Sequence, residues 1–418
     1  MNKFLYCITI LIILINSASA ETINEAFKKA YNYSFDIKAQ RENLKSAKLQ
    51  KTKAVLGFMP KVSGSLSRNH LERKDDANPK VQGTYNNRKL TVTQNVFNGG
   101  ASISNFNIND IRLKLSELRL KGTEQVVLYT AAQSYIGVIL ANESYKIAEN
   151  NEQILRKHLE STKLRFELGE VTKTDVAQAD ARYSLAQAQL IRYKGEIENA
   201  KSNYIKLMGE LPVTSLSKPH QLKNIPESLE EAIYIGKENS FELRMSELSM
   251  KEANEGIKLA WSKILPSVDL QGEVSKTGRS AITNDRFDKS AYISLTIPLF
   301  QGGGEYIDVK DSSVQKEKAK YTYHKTLDDL VARINNSWIK YNSTKATIKS
   351  AQDAVDSALL AFNGVEEEAK IGLKTSLDIL NAEQEVFDAK LKLLNAEYQT
   401  ILAGYELLAI IGKLNTDS

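Results

Sequence analysis

The sequence predicts a mainly α-helical protein with two β-hairpins, built as a two-fold internal repeat. The first observation is the repeat itself, because residues 97–209 match residues 300–412 at a constant offset of 203 without a gap. The second is a change within each copy from the 3.6-residue period of a helix to the two-residue period of a strand and back. The third is a heptad pattern in both copies, which predicts long helices that pack side by side.

Residues 1–20 are predicted to be a signal peptide that is removed after Ala20. A positively charged start precedes the apolar run 4–15, and this run is too short for a membrane-anchoring helix. Ala18 and Ala20 then supply the small residues of a cleavage site. Cys7 is the only cysteine, so the mature chain would have no thiol for a disulfide, a lipid anchor or a zinc site. The prediction is an exported protein.

The repeats set the predicted domain organisation. Repeat 1 is expected over 21–209 and repeat 2 over 228–412, with an inter-repeat linker at 210–227 and a C-terminal tail at 413–418. In repeat 1 a first helix is followed by a β-hairpin at 59–97, a long helix at 101–168 and a helix at 174–209. In repeat 2 the same order gives a first helix, a β-hairpin at 265–300, a long helix at 304–371 and a helix at 376–412.

Each repeat begins with a predicted helix that stops before a proline. Thr22 and Glu25 have the spacing of a capping box, and the first helix is expected to run from Thr22 to about Gly57. Pro60 and Pro266 follow the first helices of the two repeats. Proline lacks the backbone N–H and has a fixed φ, so it ends the helical hydrogen-bond ladder.

After each proline, apolar and polar residues alternate as they do in a β-strand. Such strands, with one apolar and one polar face, fit a transmembrane strand as well as a half-buried soluble one. The connections at 72–88 and 276–289 are charged and rich in Asn and Gly, and are expected to be long loops in water. The four predicted strands lie at 60–67, 89–97, 266–275 and 291–300.

Four strands cannot close into a barrel, and the open edges of such a sheet would find no hydrogen-bond partners in hydrocarbon. If the strands span a membrane, several chains must therefore share one barrel. Two chains would supply eight strands, and three would supply twelve with room for a lumen. Phe97 and Phe300 fall where an aromatic girdle would meet the membrane surface.

The helices that follow the hairpins are unusually long. The segments 101–167 and 302–369 contain no proline, and each would form roughly 100 Å of helix. A helix of that length must pack lengthwise against neighbours. The partner helices carry an apolar seam with 3-4 spacing that starts at Val176 and at Ile379, with alanines that allow close approach. A simple coiled coil would explain this seam but not the hairpins.

Composition excludes several classes of function. The net charge is +5, and the Lys and Arg residues are interleaved with Asp and Glu, so no nucleic-acid partner is predicted. The four histidines lie far apart without a second ligand at metal spacing, and no cofactor is expected. The glycines at 302–304 and 372 are not followed by a phosphate-loop sequence. Because hydrolase and metalloprotease motifs are also missing, the chain is not predicted to be an enzyme.

These features, in this order and found twice, resemble the TolC family of outer-membrane efflux proteins. The resemblance is carried by the removable signal, by a hairpin in each repeat that opens with Pro and closes with Phe-x-Gly-Gly, and by two breaks between helices. The breaks read Leu-Gly-Glu-Val-Thr-Lys-Thr-Asp at 168–175 and Ile-Gly-Leu-Lys-Thr-Ser-Leu-Asp at 371–378. The resemblance covers residue 21 to about residue 414.

The resemblance implies a homotrimer with a 12-stranded β-barrel among the lipids of the outer membrane and an α-helical barrel that extends into the periplasm. The helical tip would bind a periplasmic adaptor (membrane fusion) protein and, through it, an inner-membrane pump. The implied function is the exit duct of a tripartite efflux pump or of a type I protein secretion system. A soluble periplasmic coiled-coil scaffold is the alternative, and a salt or urea wash would release a scaffold but not a barrel.

The resemblance also implies roles for residues at the helical tip. Asp378 matches a gate-lining acid, and three copies would form a negative ring; Asn381 stands where some members have a second acid, so the ring would be weaker. Lys374 stands where some members have an arginine that latches the closed tip, with Thr174 and Asp175 as its expected partners. Lysine cannot make a bidentate fork, which predicts a looser latch. Alternatively, Lys374 and Asp378 form an ordinary surface pair at i, i+4.

Glycines and prolines complete the set of expected site residues. Gly169 and Gly372 are expected to end the long helices in a left-handed conformation. The expected adaptor-docking residues at the tip are Gly169, Val171, Thr172, Gly372, Leu373 and Thr375. The expected turns between barrel and helices are Pro60, Gly99, Gly100, Pro266, Gly302 and Gly303.

Overall fold

The computed structural model describes residues 20–75, 78–212, 216–219, 222 and 225–416. The predicted signal peptide, apart from Ala20, lies outside these residues. The described chain is mostly helical with one small antiparallel sheet, as predicted. Its elements are α1 (Ile23–Tyr33), α2 (Phe35–Leu56), β1 (Lys61–Asp75), β2 (Asn78–Asn98), α3 (Ala101–Glu167), α4 (Lys173–Met208), α5 (Leu229–Asn239), α6 (Phe241–Ser262), β3 (Ser267–Thr277), β4 (Arg286–Thr296), α7 (Gly304–Lys370) and α8 (Ser376–Ile410).

The predicted single helix from Thr22 to about Gly57 is wrong, because Ser34 divides it into α1 and α2. The Ser34 N–H donates to the Ala30 carbonyl at 2.9 Å and closes α1, while Ser34 Oγ accepts from the Ile37 N–H at 3.3 Å and caps α2. Ser240 separates α5 from α6 at the matching position of repeat 2. A serine hydroxyl that binds nearby backbone groups competes with helix continuation, which explains the break at Ser34.

The four strands form one antiparallel sheet in the order β1-β2-β3-β4. Leu90 on β2 lies opposite Gly64 on β1 and opposite Val274 on β3, so the hairpins of the two repeats are joined edge to edge. The outer strands, β1 and β4, each have a strand neighbour on one side within this sheet. Apolar side chains alternate along them and are exposed, including Leu66 at 81% and Ile293 at 73%.

The predicted loop at 72–88 is wrong. β1 and β2 continue through this segment, with Leu71 opposite Gly83 and Arg73 opposite Val81. The second connection is also shorter than predicted, since β3 ends at Thr277 and β4 begins at Arg286. Backbone hydrogen bonds continue a ladder whether or not one face is apolar. The alternation of apolar and polar residues therefore marked only the part of the hairpin with an apolar face.

The chain divides into two compact units, each of which takes segments from both repeats. Unit 1 comprises the residues up to Ala39, Lys121–Phe241 and Asp328–Ser418; unit 2 comprises Gln40–Leu120 and Glu242–Leu327. Neither unit is a repeat, so the repeats are not separate compact bodies. Within the described residues, no helix is both long and apolar enough to cross a membrane.

Unit 2 holds the sheet, the turns beside it and the adjoining helical segments. Gly99 adopts a φ of +65°, and a Cβ on it would lie 2.5 Å from the Ser262 carbonyl oxygen, so the turn after β2 requires glycine. In the same unit, Asp110 accepts hydrogen bonds from Lys114 and Lys51, and these lysines hold the pKa of the Asp110 carboxyl below its usual value. Arg112 reaches Glu252 at 2.7 Å and ties α3 to α6.

Unit 1 is built around the predicted heptad seam. The seam has ten positions with 3-4 spacing from Val176 to Leu207 on α4 and ten from Ile379 to Ile410 on α8, and all of them are buried or half-buried, which confirms the seam. Glu21, at the predicted start of the mature chain, is 4% exposed, and Tyr204 donates to its carboxylate at 2.6 Å. The Tyr135 hydroxyl donates to the Glu21 carbonyl at 2.6 Å, and Ser217 of the linker donates its N–H there at 2.9 Å. Ser217 thus ties the linker to the N-terminal segment.

Candidate functional site: the two helical tips

The candidate site consists of two turns in unit 1 where long helices reverse direction. Tip 1 (168–175) joins α3 to α4, and tip 2 (371–378) joins α7 to α8. Both tips have the same backbone design, which follows from their matching sequences. The predicted docking residues all lie in these two turns.

Each long helix ends at a glycine in the left-handed region. Gly169 has a φ of +77° and Gly372 a φ of +79°, as predicted for a glycine C-cap. The next residue closes the end, because the Glu170 N–H donates to the Arg165 carbonyl at 2.9 Å and the Leu373 N–H donates to the Glu368 carbonyl at 2.9 Å. A residue with a Cβ would be strained at either glycine.

Each returning helix begins with a capping box. In tip 1, the Asp175 carboxylate accepts from the Thr172 N–H at 2.8 Å and from the Thr172 hydroxyl at 2.7 Å, and the Asp175 N–H donates to Thr172 Oγ1 at 3.3 Å. In tip 2, Thr375 and Asp378 form the same three bonds at 2.8, 2.7 and 3.2 Å. Both aspartates therefore fix the start of a helix. The Thr-x-x-Asp spacing, which resembles the Thr22–Glu25 pattern, could have revealed this role in the sequence.

The two capping aspartates stay charged well into acid. For Asp175, the hydrogen bonds from the Thr172 hydroxyl and N–H lower the pKa of the carboxyl. For Asp378, the bonds from the Thr375 N–H and hydroxyl lower the pKa, with a smaller contribution from the charge of Lys374. Hydrogen bonds to the ionised form favour it, which is the cause in both tips.

The expected latch partners do not meet within this chain. Asp175 is engaged by Thr172, and none of the ion pairs formed by the described residues joins Lys374 to Asp175. Lys374 is exposed at tip 2, and Thr174 is exposed at tip 1. A Lys374 latch between neighbouring copies of the chain stays a prediction.

Two other hydrogen bonds join the helices of tip 1 to the helices of tip 2, and sequence reasoning missed both. Arg182 on α4 donates from Nη2 to Asn381 Oδ1 on α8 at 2.8 Å. His158 on α3 lies with Nε2 3.0 Å from the hydroxyl of Ser376, the first residue of α8. Burial lowers the pKa of the His158 imidazole, and the charge of Arg165 adds to this effect. The first bond occupies Asn381, one turn beyond Asp378, where the sequence predicted a lumen residue.

Apolar packing below the tips holds the same helices together. Leu155, Ala186 and Leu380 form a buried cluster with one residue from each of α3, α4 and α8. Ala148, Tyr193 and Phe387 form a second cluster from the same three helices. The tips themselves end in exposed apolar side chains, with Leu168 at 74% and Leu373 at 72%. Val171 is half-buried.

The expected barrel-to-helix turns lie in unit 2. Gly99 and Gly100 precede α3, and Gly302 and Gly303 precede α7, all with positive φ. Pro60 and Pro266 immediately precede β1 and β3, where a missing N–H costs no ladder bond. Within the part of the chain that the structure describes, no group of three His, Cys, Asp or Glu residues is arranged to hold a metal ion.

Each repeat thus contributes one hairpin to a four-stranded sheet with an exposed apolar face, and two long helices that reverse at a capped tip. The model of the family described as "Outer membrane efflux protein" matches residues 26–210 and 232–413, and the chain belongs to this family. The family describes a transport protein rather than an enzyme. The resemblance to TolC-like outer-membrane efflux proteins is therefore confirmed.

Individual relatives agree with this assignment. The chain is 25% identical to the outer membrane efflux protein BepC of Brucella suis over 405 residues, which cover 96% of this chain and 87% of BepC. It is 25% identical to the alkaline protease secretion protein AprF of Pseudomonas aeruginosa over 309 residues, covering 72% and 64% of the two chains. The crystal structure of the CmeC outer membrane channel of Campylobacter jejuni superposes with a TM-score of 0.84 at 17% identity, covering 95% of this chain and 87% of CmeC.

Proposed function

We propose that three copies of the chain form one outer-membrane channel with a shared twelve-stranded β-barrel and a helical tunnel in the periplasm. The observation that carries the proposal is the sheet, which has four strands, two outer strands and an exposed apolar face. An exposed edge is a template for pairing with another chain, and a spanning sheet must close because hydrocarbon offers no hydrogen bonds. Three copies give twelve strands, which leave room for a lumen.

The native mass tests this assembly. Protein extracted from outer membranes in mild detergent should run as a three-chain particle, and a prior wash with urea should not release it. A monomer, or release without detergent, would refute the channel and favour the soluble periplasmic scaffold.

The tips are proposed to bind a periplasmic adaptor protein, which links the channel to an inner-membrane pump. The docking residues would be those of the two turns, and the exposed Leu168, Ile371 and Leu373 supply the apolar contacts that such an interface needs. Replacing Leu373 by Ser should weaken capture of the adaptor by the purified channel, whereas the same change at the exposed Leu185 on α4 should not. Equal capture by both variants would contradict tip docking. The names of BepC and AprF support efflux and protein secretion, respectively, as the transport tasks of such a duct.

The same tips are proposed to carry the gate. Asp378, ionised because Thr375 holds its carboxylate, would form a negative ring of three charges, and Asn381 would contribute no charge to a second ring. Asp378→Asn should then reduce the preference of the open channel for cations in a planar bilayer. An unaltered reversal potential under a salt gradient would contradict the ring.

The Arg182–Asn381 hydrogen bond is proposed as the latch that keeps α8 against α4 in the closed gate. Arg182→Ala removes the donor and should raise the single-channel conductance, whereas Lys173→Ala, which removes an exposed charge at the start of the same helix, should not. Lys374→Ala tests the latch that the family resemblance implies, so the conductances of the two variants distinguish the two latches. If only Lys374→Ala raises the conductance, the Arg182 latch is wrong.

A further inference from the structure

Glu383 is a buried acid that the proposed gate does not use. It lies on α8, two residues beyond Asn381, and is 5% exposed. Its Oε1 has no hydrogen-bond partner, and no ion pair among the described residues includes it. A buried carboxylate without a partner costs far more free energy than a buried neutral acid.

The position of Glu383 on α8 makes this cost important. It falls between Leu380 and Phe387, which belong to the two apolar clusters that pack α8 against α3 and α4. The three residues follow one another at spacings of three and four, so they share one face of the helix. Glu383 therefore interrupts the apolar stripe that holds α8 in place just below tip 2.

Glu383 lines a cleft of about 190 Å³ between α3 and α8, while its Oε1 is shielded from solvent. Asn150 and Asn151 also line the cleft, and Asn151 is itself buried. The cleft is large enough to hold water, because a single water needs only a small fraction of its volume. The shielded Oε1 of an ionised Glu383 would gain hydration from it only after the packing of α8 has opened.

The charged groups around Glu383 do not neutralise it. Lys390 on α8 lines the cleft, as do Glu143 and Lys146 on α3, and the Lys146 ammonium lies 3.0 Å from the Glu143 carboxylate. Glu366 on α7 adds a repelling negative charge. Burial, assisted by Glu366 and opposed by Lys390, raises the pKa of Glu383 to about 7.

We propose that Glu383 is a proton-operated switch for the packing of α8 against α3. The protonated acid fits the apolar stripe and keeps α8 seated, while the ionised acid draws water into the cleft and loosens α8 beside the tip. The link to conduction rests on the proposed gate. The predicted direction is a tighter tip in acid and a more open tip at neutral and alkaline pH.

The direction follows from proton linkage. The pKa of Glu383 is raised in the packed state, so the packed state binds the proton more tightly than the opened state, in which a glutamate titrates near 4.5. The stabilisation is fully present below pH 4.5 and is lost as the pH rises to about 7. Local opening should therefore rise by up to about tenfold per pH unit from pH 5 to pH 7 and level off above that.

Hydrogen exchange on the intact trimer in detergent tests the switch without using conduction. Exchange of the peptide segment 379–390, corrected for the intrinsic pH dependence of exchange, should rise with pH in the wild type and stay flat in Glu383→Gln. Glu383→Leu, which continues the apolar stripe, should be equally flat if the Gln variant fails to assemble. The matched control is Glu385→Gln, an exposed acid on the same turn, which should behave as the wild type. A flat wild-type curve, or a pH step that persists in both Glu383 variants, would overturn the proposal.

Bilayer recordings of the same proteins then separate the switch from the gate. The open fraction should rise between pH 5 and pH 7 in the wild type and in Glu385→Gln, but not in Glu383→Gln. If Arg182→Ala raises the conductance while Glu383→Gln keeps the wild-type pH dependence, the switch is wrong and the gate stands. If neither Arg182→Ala nor Asp378→Asn changes the channel, the proposed gate fails, and exchange alone decides whether Glu383 controls packing.

Discussion

Removal of the Thr172 hydroxyl should open the start of α4. Thr172→Ala deletes the acceptor of the Asp175 N–H and the donor to the Asp175 carboxylate, and leaves the bond from the residue 172 N–H to that carboxylate. Replacement of an N-cap Thr by Ala costs roughly 0.5–2 kcal/mol, and about 1 kcal/mol is expected for an exposed tip. That corresponds to about a fivefold larger opening constant for the first turn of α4.

Hydrogen exchange measures this constant directly. The peptide covering 169–180 should exchange about fivefold faster in Thr172→Ala, while peptides from the centre of α4 should be unchanged, because the cap acts on the first turn. Thr172→Ser keeps the hydroxyl and should restore the slow exchange. Thr174→Ala is the matched control, since this exposed threonine lies two residues further along and makes no contact in the capping box.

A specific outcome would refute the reasoning. If Thr172→Ala and Thr174→Ala exchange at the same rate as the wild type, the capping box does not set the stability of tip 1. If both accelerate it equally, the effect is not specific to the capping box, because alanine at position 174 has the higher helix propensity and should not by itself open the turn.

Four further changes follow from the structure. Tyr204→Phe leaves the Glu21 carboxylate with Lys29 as its remaining partner and should cost about 2 kcal/mol of unfolding free energy; Tyr193→Phe is the control, and equal melting would contradict the role of Glu21. Gly99→Ala forces a Cβ against the Ser262 carbonyl and should reduce the yield of assembled protein, whereas Gly100→Ala, where φ is also positive but the space is open, should reduce it less. The capping boxes should weaken as the pH falls below 3.8, through the lowered pKa of Asp175, because their stabilisation is present above that pH; exchange at tip 1 that does not accelerate in acid would contradict this. Ser376→Ala removes the hydroxyl that meets His158 and should accelerate exchange at the start of α8, with the exposed Ser184→Ala as the control.

The sequence was sufficient for the features that depend on period and on backbone conformation. The heptad seams of α4 and α8, the glycine C-caps and the proline positions need only local rules, and the structure has them where the pattern predicts. The break at Ser34 was missed because a serine inside an apolar period looks like a surface residue until its hydroxyl is seen to bind the Ile37 N–H. The strand ends were missed because a backbone ladder can extend beyond the apolar alternation into Asn, Arg and Lys residues.

The compact units could not be predicted from the repeat. A sequence repeat suggests two bodies, but each long helix begins in unit 2 and ends in unit 1. In unit 1, α8 of repeat 2 packs against α3 and α4 of repeat 1, so equivalent segments of both repeats contribute to the same unit. The duplication therefore does not predict the compact units, because these depend on how the apolar surface of the helices is buried.

Near the tips, some residues are identical in the two repeats and others differ. Positions that build the backbone of the tips are identical in the two copies, including Gly169 and Gly372, Thr172 and Thr375, and Asp175 and Asp378. Residues that join the helices of one repeat to those of the other differ from their counterparts at the offset of 203. His158 corresponds to Ala361, Arg182 to Glu385, and Asn381 to Gln178.

This difference has a physical basis. A cap must bind the free backbone groups of the same helix end in both repeats, so both repeats need the same capping residues. A hydrogen bond between the two repeats needs a donor on one repeat and an acceptor on the other, and arginines at matching positions of both repeats would repel each other. Glu383 on α8 corresponds to Asp180 on α4, and this pair also differs: Glu383 is buried in the packing of α8, whereas Asp180 is exposed. The positions at which the two repeats differ include Arg182, His158 and Glu383, and variants of these three residues should alter gating. Variants of the shared Gly169, Gly372 and Thr172 should alter the folding of the tips, whereas the shared Asp378 both caps α8 and would form the proposed ring.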